Sequence, residues 1–165
     1  MALLPRLAKA VDCFGLIIKQ YEIEIDFSGV KPPTKIGPML EAELYSIFLN
    51  VLSNSIKSVI AKGGKRRISI KAKKLSKGTR INIMDTGVGV PKKWDGLFDA
   101  FVADPSGTFY PRLHEKINPA DSHVVGTGSG LGLSIIREII EAHEGSIGFA
   151  DFQSPWKCNL EILVP

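Results

Sequence analysis

The segment Ile81–Val90, with the sequence INIMDTGVGV, decides the fold of this chain. Apolar and polar residues alternate at its start, which predicts a strand that delivers Asp85 to its end. Gly87 and Gly89 then allow a backbone path that is closed to other residues. A carboxylate in this position can accept a hydrogen bond from an exocyclic amine such as that of adenine. The two glycines would let a flat ring approach the backbone, although a simple turn is the alternative interpretation.

The stretch before this strand is a helix with two different faces, predicted from about Leu40 to Ile60. Its apolar arc contains Leu44, Phe48, Val51, Leu52 and Val59, and a separate narrow arc contains Glu43, Asn50, Asn54 and Lys57. The last three are spaced four and three residues apart, so their side chains are neighbours. Asn is a poor helix former but a capable oxygen ligand for a hard cation, which favours a site over a plain solvent face.

A third element, Gly126–Ser134 (GTGSGLGLS), opens a later helix. A glycine-rich turn that leads into a helix N-terminus presents free N–H groups and a positive dipole end, which suits phosphate. It is neither of the commoner phosphate loops: G-x-x-x-x-G-K-[ST] is absent from the chain, and the third glycine of G-x-G-x-x-G would fall on Leu131 or Leu133. A structural glycine turn is the alternative.

One competing motif is Asp85-Thr86-Gly87, which also matches the catalytic triplet of aspartic proteases. The run Val124-Val125-Gly126 resembles a downstream element of the same enzymes. That fold is almost entirely β, whereas strong amphipathic helices flank these residues here. The next residue is the bulky Val88, where Ser or Ala is usual, so we set this interpretation aside.

The length of 165 residues, with 44% hydrophobic and 23% charged residues, suits one soluble globular domain. The remaining elements are predicted in chain order as a helix over 5–20, strands over 21–27, 67–75 and 79–84, a long loop over 94–125, a helix over 131–143, and strands over 146–152 and 157–164. A loop of that length in a compact domain is typical of a lid. This order predicts helices packed on one face of a mixed sheet.

The net charge of +4 comes from one local patch, since nine basic residues and no acidic residue lie between Ala61 and Arg80. Apolar and polar residues alternate within it, so we expect a strand with a solvated or partner-facing side and not a nucleic-acid interface. Two cysteines fit a reducing compartment, and neither a signal peptide nor an apolar run of membrane-spanning length is present. We therefore expect a cytoplasmic domain without membrane contact, including the cytosolic part of a membrane-bound sensor.

Together and in this order, the elements resemble the ATP-binding domain of the GHKL superfamily (gyrase, Hsp90, histidine kinase, MutL), most of all the catalytic domain of sensor histidine kinases. The stretch 48–58 (FLNVLSNSIKS) resembles the N box, 85–90 and 128–134 the two glycine boxes, 97–101 (LFDAF) the phenylalanine box, and 139–145 the closing helix. The resemblance implies a Bergerat fold over residues 1–165. This is an α+β two-layer sandwich with a mixed, mainly antiparallel sheet and a long ATP lid at about 94–125.

The resemblance also implies roles for individual residues. Asn54 would ligate Mg²⁺ that bridges the phosphates of ATP, Asn50 would assist it, and Lys57 would contact phosphate. Asp85 would read the adenine amine, with Gly87 and Gly89 beside the ring. Backbone N–H groups at Gly128, Gly130, Leu131 and Gly132 would meet the phosphates. Phe98 and Phe101 would anchor the lid over the nucleotide, although a purely packing role would look identical in sequence.

The branch of the superfamily is indicated by position 50. Hydrolysing members place a Glu four residues before the metal-binding Asn, and here that residue is Asn50, which cannot act as a general base. Transfer of the γ-phosphoryl group is therefore favoured, to a histidine on a separate dimerisation and phosphotransfer domain, with a response regulator as an indirect partner. A GHKL ATPase module and an anti-sigma-type serine kinase switch are the alternatives.

The chain departs from the pattern in three ways. Ser58 stands where kinases usually have an aromatic or similar residue, and the lid is long. No early helix carries a phosphoacceptor, since the first histidine is His114.

Overall fold

The computed structural model describes residues 1–90, 95–98, 109–122 and 132–165. Within them lies one five-stranded sheet, formed by β1 (Ile23–Gly29), β2 (Arg66–Leu75), β3 (Gly78–Asp85), β4 (Ser146–Phe149) and β5 (Cys158–Val164). The strand order is β1-β2-β3-β5-β4. Only the β1–β2 pair is parallel, and the other three pairs are antiparallel. The predicted mixed, mainly antiparallel sheet is therefore confirmed.

The helices are α1 (Leu3–Asp12), α2 (Gly15–Gln20), α3 (Glu41–Lys62), α4 (Phe109–His114) and α5 (Gly132–Ala142), with a 3-10 turn at Asp95–Phe98. The prediction of one continuous first helix was wrong, because the chain breaks between α1 and α2. The Phe14 N–H bonds to the Val11 carbonyl only three residues back, at 3.0 Å, and Gly15, a poor helix former, begins α2. The break leaves Phe14 and Ile17 both buried.

The core lies between the sheet and the helices. Alternating residues of the three central strands supply its sheet side, namely Ile68, Ile70, Ile81, Ile83, Leu160 and Ile162. α3 packs on β2 and β3 and is flanked by α1 and α5. By length and composition α3 could cross a membrane, but eleven of its 22 residues are buried in this core, which is typical of the central helix of a globular domain.

The opposite face of the sheet carries the basic patch. Alternation and register place Lys71, Lys73 and Arg80 there, and all three are exposed. Arg80 pairs with Glu161 at 3.5 Å. The β2–β3 turn with Lys77 lies at the other end of β3 from Asp85, about 24 Å away at about 3.4 Å per residue. Arg67, at the start of β2, lies near Asp85 instead, because Ile68 pairs with Asp85, so only the part of the patch towards the turn is distant from the candidate site.

Residues 109–122 form an ordered part of the predicted lid. The prediction of a loop without regular structure was wrong here, because α4 forms and Leu113 and Ile117 are buried in the core. Two buried apolar residues are too few to produce a periodicity that can be read from sequence. The rest of the predicted lid, apart from the turn at 95–98, lies outside the described residues.

Polar contacts hold this segment against the body. The Tyr21 hydroxyl accepts a hydrogen bond from the Asn118 N–H at 2.9 Å and donates one to Asp121 at 2.7 Å. Lys116 donates to the carbonyls of Ala61 and Lys62 at 2.9 and 3.2 Å. Since those carbonyls end α3, the Lys116 ammonium also complements the negative end of the helix dipole.

Candidate nucleotide-binding site

Asp85 lies at the end of β3 with only 4% of its surface exposed. Its Oδ1 atom accepts hydrogen bonds from the Gly87 N–H at 2.9 Å and from the Ser58 hydroxyl at 3.5 Å. The Ser55 hydroxyl of α3 also donates to this carboxylate. The predicted strand end is therefore a buried carboxylate whose orientation is fixed from its own turn and from α3.

The electrostatics of Asp85 are dominated by burial, which raises the pKa of its carboxyl from 3.8 to about 6. Hydrogen bonds from Gly87, Ser55 and Ser58 oppose the rise but do not cancel it. Cys158 stands opposite Asp85 in the β3–β5 register, and burial together with the Asp85 charge raises the pKa of its thiol. Asp85 is mainly ionised above pH 6 and can then accept a hydrogen bond from an amine.

Glycine is required at positions 87 and 89 for two different structural reasons. A Cβ atom on Gly87 would lie 2.6 Å from the backbone carbonyl carbon of Ser58, so only glycine allows the turn to approach α3 this closely. Gly89 has φ of +79°, in the left-handed region that favours glycine. Their position beside a nucleotide ring stays a prediction. The sequence did not reveal that Gly87 is also required for close packing against α3.

Asn50 brings α3 close to the start of α5. Its Nδ2 atom donates to a helix carbonyl one turn earlier, at 2.8 Å. Its Oδ1 atom lies 3.0 Å from the place where a Cβ on Gly132 would be. The amide oxygen of Asn50 therefore faces the helix N-terminus that the sequence predicts for phosphate. Asn54 lies one turn further along α3 and is half-buried.

Lys57 is buried, with 5% of its surface exposed, and desolvation lowers the pKa of its ammonium. Its Nζ atom lies 6.0 Å from the centre of the Tyr110 ring on α4. The sequence pattern predicted a polar stripe for Lys57, and the structure differs because residues 109–122 pack on this part of α3. A phosphate contact for Lys57 stays a prediction.

Glu43 begins the same arc of α3, and it has a structural role. Its carboxylate accepts a hydrogen bond from the Leu40 N–H at 2.8 Å and lies 2.8 Å from the His143 ring nitrogen at the end of α5. These two contacts lower the pKa of Glu43, the Leu40 N–H having the larger effect. Glu43 therefore caps α3 and ties it to α5.

The remaining predicted residues divide into two groups. Phe98 is buried, and its ring centre lies 5.4 Å from that of Phe149 on β4, while its role as a lid anchor stays a prediction. The other four, Phe101, Gly128, Gly130 and Leu131, lie outside the described residues.

Three residues at the site were missed as contributors by the sequence reasoning, namely Ser55, Ser58 and Tyr110. The two serines are three residues apart on α3, so their side chains are neighbours, and this spacing was the available signal for them. Tyr110 had no such signal, because its contact with Lys57 spans 53 residues of chain.

The donor set at this site fits a magnesium ion that is bound together with phosphates. Among the residues that the structure describes, no three His, Cys, Asp or Glu side chains are grouped closely enough to hold a metal by themselves. Mg²⁺ commonly takes one or two protein oxygens and completes its shell with phosphate and water oxygens. The amide oxygens of Asn50 and Asn54 are donors of this kind.

Curated relatives that match this chain include sensor kinases. The sensor protein kinase WalK of Staphylococcus aureus is 34% identical over 107 residues, which are 64% of this chain and 22% of that protein. A second WalK sequence, from strain JH9, is also 34% identical over 107 residues, which are 15% of its length. The chain thus spans less than a quarter of the length of these relatives.

Solved structures share the fold across nearly the whole chain. The nucleotide-free catalytic domain of histidine kinase ThkA has a TM-score of 0.75 at 18% identity, covering 100% of this chain and 93% of that one. The mycobacterial sensor histidine kinase MprB has a TM-score of 0.69 at 20% identity, with 100% and 95% covered. Full-length ShkA in complex with AMPPNP has a TM-score of 0.66 at 22% identity, with 96% and 28% covered.

Family membership follows from a match over most of the chain. The family model for histidine kinase-, DNA gyrase B- and HSP90-like ATPases matches residues 39–159, a range that contains α3, Asp85 and the start of α5. Together with the two-layer fold and the buried carboxylate at the end of β3, this match shows that the chain belongs to the histidine kinase-, DNA gyrase B- and HSP90-like ATPase family.

Proposed function

We propose that this chain is the catalytic domain of a sensor histidine kinase, which binds Mg-ATP and transfers the γ-phosphoryl group to a histidine on a separate dimerisation and phosphotransfer domain. The observation that carries the proposal is that the site combines a buried hydrogen-bond acceptor, Asp85, with a neutral amide, Asn50, that faces Gly132. Asp85 suits the adenine ring of a nucleotide. Asn50 suits the phosphates, and it cannot act as a general base for hydrolysis.

ATP is the nucleotide that the family supports, and the environment of Asp85 agrees with adenine. An ionised carboxylate accepts hydrogen bonds and donates none, so it matches the exocyclic amine of adenine and not the oxo group of guanine. The AMPPNP in the ShkA crystal is an adenine nucleotide analogue bound by a protein of the same fold.

The phosphate end would be formed by α3 and the start of α5. Asn54, assisted by Asn50, would hold Mg²⁺, which neutralises phosphate charge when it is bound. The N-terminus of α5 begins at Gly132, beside Asn50, and would present the positive end of the helix dipole to the phosphates. Lys57 would add a cation whose burial favours an anionic partner.

Transfer is favoured over hydrolysis because no carboxylate of α3 is placed to activate water. Position 50 is an amide, and Glu43 lies two turns away with its carboxylate held by Leu40 and His143. Phosphoryl transfer depends mainly on positioning and charge neutralisation, which amides, glycine N–H groups and one lysine can supply. The acceptor histidine would lie elsewhere in a longer protein or in a second protein on the cytoplasmic side, and a response regulator would receive the group afterwards.

The first test is calorimetric binding of a non-hydrolysable ATP analogue with and without Mg²⁺. We expect metal-dependent binding by the unmodified protein, loss of the metal dependence in Asn54→Ala, and unchanged binding in Asn82→Ala, an amide on the opposite face of the sheet. Absence of binding by the unmodified protein would overturn the proposal.

The second test identifies the reaction, using labelled ATP and a phosphotransfer domain. Acid-labile label on that domain indicates phosphohistidine and supports the proposal. Acid-stable label would instead indicate a serine kinase, and rapid release of free phosphate would indicate an ATPase.

A further inference from the structure

Ser58 contacts the base end of the candidate site at three points. Its hydroxyl oxygen accepts a hydrogen bond from the Val88 N–H at 3.0 Å. The same hydroxyl donates to Asp85 Oδ1 at 3.5 Å, which is long for such a bond. Gly87, between these two residues, packs so closely on Ser58 that a Cβ atom would overlap its backbone. Ser58 therefore bonds both ends of this turn, Asp85 and Val88, to α3, while Thr86 between them is held by Arg67 of β2.

We propose that Ser58 is a positioning residue that sets the nucleobase preference of the site by fastening the turn from Asp85 to Val88 onto α3. The inference rests on the proposed function, in which Asp85 recognises the adenine amine. The hydroxyl does not touch the base in this proposal, and it acts by fixing the carboxylate that does.

Ser58 can act in this way because its hydroxyl forms hydrogen bonds with two groups of the turn, the Val88 N–H and Asp85 Oδ1. Without it, the Val88 N–H loses its acceptor, and Asp85 Oδ1 keeps only the Gly87 N–H and what Ser55 supplies. The turn would then gain freedom just where a planar amine must meet a planar carboxylate. A hydrogen bond of this kind discriminates between bases only while its acceptor is held in place.

The position of Ser58 inside a helix allows it to be replaced by alanine. It lies inside α3, where Ala is a better helix former than Ser, so Ser58→Ala is expected to fold. Ser46 lies in the same helix twelve residues earlier, about 18 Å away at about 1.5 Å per residue, so Ser46→Ala is a matched control.

The experiment compares two probes by calorimetry: a non-hydrolysable ATP analogue and its purine-riboside counterpart, in which a hydrogen atom replaces the amine. We expect Ser58→Ala to bind the ATP analogue about tenfold more weakly, because the amine would lose a fixed charged acceptor, a loss of about one hydrogen bond. The purine-riboside analogue has no such donor and should bind within about twofold of its affinity for the unmodified protein. The preference for adenine would fall by the same factor, while Ser46→Ala would keep it.

Two results would overturn the inference alone: an unchanged adenine preference in Ser58→Ala, or equal weakening of both probes, which indicates a merely structural role. In both cases the unmodified protein still prefers the ATP analogue, so the proposed function would stand. If the unmodified protein binds neither probe, the proposed function fails and this inference fails with it.

Discussion

Asp85→Asn tests whether the site carries a destabilising buried charge. The substitution keeps the size of the side chain and an oxygen acceptor for the Gly87 N–H, but it removes the ionisable group. Asp85 is almost fully buried, and the pKa of its carboxyl is raised to about 6. The folded protein therefore holds its proton in a pH range where the unfolded chain has already lost it.

The magnitude follows from the two pKa values. Between 3.8 and about 6 the folded state binds more protons than the unfolded state, so the free energy of unfolding falls as the pH rises through this range. At about 1.36 kcal/mol per pKa unit, the full loss is about 3 kcal/mol, and it persists above pH 6. Asp85→Asn lacks this loss, so its stability relative to the unmodified protein should increase by about 3 kcal/mol from about pH 3 to about pH 7.5.

The assay is urea unfolding of both proteins at a series of pH values, followed by circular dichroism. Other titrating groups are shared by the two proteins, so they largely cancel in the difference. The same variant should bind the ATP analogue more weakly at neutral pH, since the charged acceptor is gone. The reasoning would be refuted if the difference in unfolding free energy between Asp85→Asn and the unmodified protein did not change with pH. A difference that decreases as the pH rises would mean that the ionised carboxylate stabilises the fold.

Three further substitutions test the packing around the site. Ile56→Ala, at a fully buried position of α3, should lower the free energy of unfolding by about 2–5 kcal/mol in urea denaturation, and a change below about 1 kcal/mol would contradict the assignment of α3 to the core. Gly87→Ala should weaken binding of the ATP analogue in calorimetry, and adding Ser58→Ala should not restore it, because the new Cβ meets the Ser58 backbone. Tyr21→Phe should lower the free energy of unfolding by about 1–3 kcal/mol and speed proteolysis within 109–122, since its hydroxyl bonds both Asn118 and Asp121; unchanged cleavage would show that those bonds do not hold the segment.

The sheet and the central helix could be predicted because their cores are periodic. Ile68 and Ile70 on β2 and Ile81 and Ile83 on β3 recur at every second residue, and all are buried. The break before Gly15 could not be predicted, because the apolar spacing continues through it and the interruption depends on how Phe14 packs. The docking of α4 was missed for a related reason, since its buried residues are too few to form a pattern.

The residues of the site were easier to predict than their contacts. Asp85 and Asn50 stand in short motifs, and Asn50 lies beside Gly132, a residue that the family resemblance also assigns to the phosphates. The roles of these residues toward a nucleotide stay predictions. The dual role of Ser58 and the burial of Lys57 arise between segments that are far apart in sequence. The contact between Glu43 and His143 spans 100 residues, and no local pattern contains it.

The two charged residues proposed for nucleotide recognition share a physical property that links binding to stability. Burial shifts the pKa of Asp85 upward and that of Lys57 downward, so each side chain is held in the fold at a cost to its charged form. A nucleotide would offset both costs, with an amine donor for Asp85 and phosphate for Lys57. Because Lys57 and the Asp85-binding Ser58 are adjacent in α3, both effects act on the central helix of the core. We therefore expect nucleotide binding to stabilise the whole domain and not only the loops around the site.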